Sequence, residues 1–117
     1  MAAAAMEPTL ERRMRLLFSA SVVRFGRLKK PTFACVTMEN GKAVITLTDG
    51  FDDDYTLRTL FHELVHLAMP GELSSWGSWE EDILERVVEP NLMRWIVGRP
   101  RIHSWWLRQV ADLRGAK

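Results

Sequence analysis

The chain has 117 residues, 26% of them charged and 47% hydrophobic, with a formal net charge of +1. That length builds one hydrophobic core, and the composition excludes a low-complexity or disordered polymer. Cys35 is the single cysteine, so an internal disulfide is excluded, a reducing cytoplasmic compartment is the expectation, and no stretch approaches a membrane span.

Residues 1–117 are therefore expected to form a single domain, with residues 1–7 disordered. Met1 to Met6 lacks the charged and apolar regions of a secretory signal. From Pro8 to about Phe25 the pattern predicts a helix, with Leu10, Met14, Leu17, Phe18 and Val22 in one stripe and Gly26 as its stop. Thr32–Met38 and Ala43–Thr48 read as strands, and Asn40-Gly41 between them is the signal of a tight hairpin. A third strand within residues 20–30 is an open alternative. Asp52-Asp53-Asp54 leads into the next helix, with Asp53 or Asp54 as its cap.

That helix, Leu57 to Met69, carries Leu57, Leu60, Phe61, Leu64, Leu67 and Ala68 at the spacing of one buried face. Inside it lies His62-Glu63-Leu64-Val65-His66. Two imidazoles four residues apart reach the same point in space, and a neutral imidazole pair suits zinc. Glu63 projects beside them, where a carboxylate can take a proton from a water held by the metal. The competing reading is two ordinary helix histidines, which would need other partners to compensate their burial.

Pro70-Gly71 ends the helix. A further helix is expected from Ser78, with Ser78 and Glu81 in a capping-box pattern, and Pro90 should kink or end it. Asn91 to Val97 continues helically with Leu92, Trp95 and Ile96 inward. Gly98-Arg99-Pro100 breaks the chain again, and His103 to Leu113 reads as a last helix in a basic, aromatic tail over residues 99–117.

Charge is unevenly spread. Residues 1–50 carry +4, residues 51–90 carry −8 and residues 91–117 carry +5. An acidic middle between basic ends fits a cation site in a basic frame, and fits equally a middle segment that exposes its carboxylates.

A catalytic zinc site normally has three protein ligands. Glu85 sits mid-helix with no capping role and is the first choice for the third, with Glu81, Glu89 and His103 as alternatives. Glu89 or Glu81 would accept a hydrogen bond from a ligand imidazole. The pentad, followed after eighteen residues by Glu85-Arg86-Val87-Val88-Glu89, resembles the gluzincin class of zincin metallopeptidases, which carries its third ligand in a Glu-x-x-x-(Asp/Glu) pattern. The resemblance covers roughly residues 43 to 92.

It implies a small α+β zincin-like domain, with an antiparallel hairpin or sheet packed on the pentad helix and a following glutamate-bearing helix. By that resemblance His62, His66 and Glu85 are zinc ligands, Glu63 is the general base and Glu89 a supporting partner. Val44, Ile45 and Thr46 would line the cleft and pair with an extended substrate. The implied function is a zinc-dependent metallopeptidase that hydrolyses peptide bonds with a metal-activated water. The other reading is a nucleic-acid or protein-binding module. Arg94, Trp95, Arg99, Arg101, Trp105, Trp106, Arg108 and Arg114 interleave cations with aromatics, as a nucleic-acid surface does, although the Trp residues would equally fill a small core.

Overall fold

The computed structural model describes residues 6–29, 33–68 and 82–115. Helix α1 spans Met6–Ala20 and buries Leu10 and Met14. It stops five residues before the expected end. The Ser21 hydroxyl donates to the Leu17 carbonyl (2.6 Å), and Val22-Val23-Arg24-Phe25 then adopts the extended backbone that β-branched and aromatic residues favour. This strand, β1 (Val22–Gly26), is the third strand that residues 20–30 left open.

Strands β2 (Ala34–Glu39) and β3 (Lys42–Thr48) form the expected hairpin. Asn40 and Gly41 take φ values of 54° and 77°, the pair of positive values a two-residue hairpin turn with right-handed strand twist requires. The sheet order is β1-β3-β2, and β1 runs parallel to β3, with Val22 opposite Val44 and Phe25 opposite Leu47. The sheet is therefore mixed, not antiparallel. Val44, Ile45 and Thr46, expected to pair with substrate, lie on the central strand in this register. Val36 and Cys35 hold one edge of this stretch while Val23 and Arg24 hold the other, so its ladder groups are already used.

Helix α2 spans Asp53–Ala68. Its cap is Asp52, one residue before the expected pair. The Asp52 carboxylate accepts from the Tyr55 amide at 2.8 Å, and its carbonyl accepts from the Thr56 amide at 3.0 Å. Asp53 and Asp54 then place negative charge in the first turn, where the helix dipole favours it. Leu57, Leu60, Phe61, Leu64 and Val65 are buried against Ile45 and Leu47 of the sheet.

Pro70-Gly71 and the Ser78–Glu81 capping pattern lie outside the described residues. The chain is helical again from Asp82, and Leu84–Val88 forms a π-helical turn that runs directly into α3 (Glu89–Val97). Pro90 accounts for it. Proline has no N–H for the carbonyl four residues back and its ring crowds that carbonyl; one widened turn relieves both, so the helix passes through Pro90 instead of ending there. Leu92 and Ile96 then point inward as expected.

Gly98 closes α3, its amide donating to the Arg94 carbonyl at 3.1 Å, and Pro100 opens α4 (Pro100–Gly115), longer than the His103–Leu113 helix expected. Trp106 is fully buried, edge-on to Phe61 (centroids 4.9 Å) and to Phe18 (5.6 Å). It ties α1, α2 and α4 into one core. The architecture is α+β, four helices around a three-stranded mixed sheet among the described residues. No described helix is long and apolar enough to cross a membrane.

Candidate metal centre

The core-facing positions of α2 leave Tyr55, Thr59, His62 and His66 together on the opposite side of the helix, at the i, i+4, i+7 and i+11 spacing of one stripe. The two imidazoles lie with ring centroids 4.8 Å apart and planes at 73°. The rings are neighbours one helical turn apart. Glu63 is half-buried on the flank of the same stripe.

Helix α3 supplies the neighbour. The Glu89 carboxylate is paired with Nδ1 of His62, and both side chains are largely withdrawn from water, at 16% and 20% exposure. A carboxylate only accepts, so His62 donates from Nδ1, and in the neutral ring the lone pair is on Nε2. That is the tautomer a metal-binding imidazole needs, and a carboxylate on the far nitrogen is how ligand histidines are usually oriented.

Glu85 stands one helical turn earlier, in the π-helical segment, with its side chain exposed. The straight α-helical register from which Glu85 and Glu89 share a face does not hold across a widened turn. Glu81 lies outside the described residues. His103 is elsewhere: on α4, with Nε2 3.9 Å from Asp54 at the start of α2. Asp54 precedes His62 by about 12 Å of helical rise, so His103 is not brought to the pair. Among the described residues no three His, Cys, Asp or Glu donors gather at one point. What does come together is two neighbouring imidazoles on one helix face, with the Glu89 carboxylate on Nδ1 of one of them; imidazole nitrogens are donors that zinc accepts.

The basic, aromatic tail packs its rings against the protein itself. Trp106 is core. Arg15 covers the Trp105 ring at 4.2 Å and Arg99 covers Trp95 at 4.1 Å. Arg114 is committed to α2 and its approach, donating to the Phe51 carbonyl (2.6 Å), the Asp53 carboxylate (2.8 Å) and the Thr56 hydroxyl (2.9 Å). Sequence periodicity offers no sign of this last contact, which joins residues about sixty positions apart.

No protein-family model, curated protein or solved structure matches the chain.

Proposed function

We propose that this protein is a zinc-dependent metallopeptidase, with His62 and His66 as metal ligands, Glu85 as the third ligand and Glu63 as general base. The observation that carries this reading is the Glu89 carboxylate on Nδ1 of His62, set behind an imidazole pair that shares one helix face. Zinc held there would supply a Lewis acid able to bring the pKa of a water near neutrality and to polarise a carbonyl. Glu63, beside the pair on α2, would take the proton from water and return it to the departing amine. Glu89 would hold the ring of His62 in position. Glu85, one turn before Glu89 in the Glu-x-x-x-Glu pattern, is exposed and would have to turn toward the pair to complete the set.

The test is zinc content per chain with peptide cleavage measured alongside. The native chain should carry one zinc and cleave an unstructured protein such as casein. His62→Ala should lose both. Glu63→Gln should keep the metal and lose cleavage, because only the proton carrier is gone. A native chain that takes up no zinc after the metal is added back would remove the reading. A nucleic-acid-binding tail has less support, since its tryptophans pack inward or lie beneath arginines.

A further inference from the structure

One group of side chains that meets the histidine stripe at Tyr55 is used neither by the core nor by the candidate metal centre. Phe33, Phe51 and Tyr55 form an aromatic cluster at the N-terminal end of α2, with ring centroids 4.6 to 6.1 Å apart. Phe33 and Tyr55 stay 41% and 38% exposed, although each has aromatic neighbours. The cluster is rigidly built. The Phe51 carbonyl accepts from Arg114, the Tyr55 amide donates to Asp52, and the Phe33 carbonyl accepts from the Thr48 amide at 2.9 Å. Partly exposed aromatic faces anchored by backbone hydrogen bonds are suited to packing against an apolar side chain at small entropic cost.

Its position indicates which side chain. Tyr55 precedes His62 by seven residues on one helix face, about 10 Å of rise, which an extended peptide spans in about three residues. Charge narrows the partner further. Asp52 and Asp54 precede Tyr55 and stay exposed, Asp52 while capping α2 and Asp54 3.9 Å from His103, whereas Asp53 is paired with Arg114. We propose that Phe33, Phe51 and Tyr55 form a recognition subsite for a bulky apolar side chain, next to a lysine or arginine, of a peptide extended along α2. The side chain sits about three residues from the bond addressed at His62 and His66. This rests on the metallopeptidase reading.

The experiment uses two fluorescein-labelled octapeptides that differ only in carrying Phe or Gly before a Lys. Their binding to the full-length Glu63→Gln chain, loaded with zinc, is read by anisotropy. The Phe peptide should bind about tenfold more tightly, the effect of partly burying one large apolar side chain. With Tyr55→Ser added, the advantage should fall to about twofold. The comparison of two peptides on one unaltered cluster does not depend on that variant folding. Equal binding of the two peptides overturns the subsite. So does a chain whose mass rises with concentration and which ignores both peptides, because the cluster would then be a contact between copies. Cleavage of both peptides by the native chain without a preference for Phe also overturns the subsite and leaves the peptidase reading standing. A tenfold binding preference with no cleavage supports the recognition surface and removes the peptidase.

Discussion

Glu89 on α3 and His62 on α2 are paired side chain to side chain although 27 residues of chain separate them. Glu89→Ala should weaken zinc binding by about 10- to 100-fold, the usual effect of removing the carboxylate behind a ligand imidazole. Glu89→Gln should recover part of that, since an amide oxygen still accepts from Nδ1. Competition titration against a chromogenic chelator checks both. If neither variant differs from the native chain, Glu89 has no hold on the metal.

Glu11 is a buried carboxylate on α1. It accepts from the Trp106 indole N–H at 2.8 Å and from Arg15 at 2.6 Å. Replacing it by Ala leaves the indole N–H buried without an acceptor, at a cost of about 1–3 kcal/mol. Trp106→Phe removes the donor and should make Glu11→Ala cheaper than in the native background. Urea unfolding of the two single variants and the double variant gives the coupling; strict additivity would mean that the bond contributes nothing.

Arg114 holds the end of α4 to the start of α2 through three acceptors. Arg114→Ala should destabilise the chain by about 2 kcal/mol, because the Thr56 hydroxyl and Phe51 carbonyl lose a charged donor. Arg114→Lys should rescue little, since an ammonium lacks the planar fork that reaches all three. Thermal unfolding midpoints distinguish these outcomes, and a fully stable Lys variant would reduce the role of Arg114 to charge alone.

Asp52 caps α2, the helix that carries both imidazoles. Asp52→Ala should cost about 1 kcal/mol and Asp52→Asn much less, because the amide side chain still accepts from the Tyr55 N–H. Circular dichroism during denaturation reads the difference. A cap at Asp53 or Asp54 would instead make Asp52→Ala neutral.

Where the sequence was legible, the physics is local. Asn40-Gly41 names its own turn, and the spacing of Leu57, Leu60, Phe61 and Leu64 identifies the buried face of α2, to which the structure adds Val65 while Leu67 and Ala68 are half-buried; His62 and His66 lie on the other side. The cap of that helix was misplaced by one residue, since three consecutive aspartates offer equivalent caps until the backbone chooses one. β1 stayed an open alternative because Val22 continues the apolar stripe of α1, and nothing near it in the chain announces that its partner is Val44. The π-helical turn was hidden for a related reason. A fixed helical period carries Glu85 and Glu89 onto one face, whereas Pro90 widens the turn between them and leaves Glu85 exposed while Glu89 meets His62.

The central place of β3 has a kinetic consequence. One of its neighbours, β2, is reached through a two-residue turn, while the other, β1, pairs Val22 with Val44 across a long loop. Closing the short loop sacrifices little chain entropy, so the hairpin can assemble early and offer β3's open edge as a template. β1 and the helix before it then dock late. Substitutions at Gly41 will therefore slow refolding, and substitutions at Val23 will chiefly hasten unfolding, so the two edges of one strand report on opposite limbs of the same chevron.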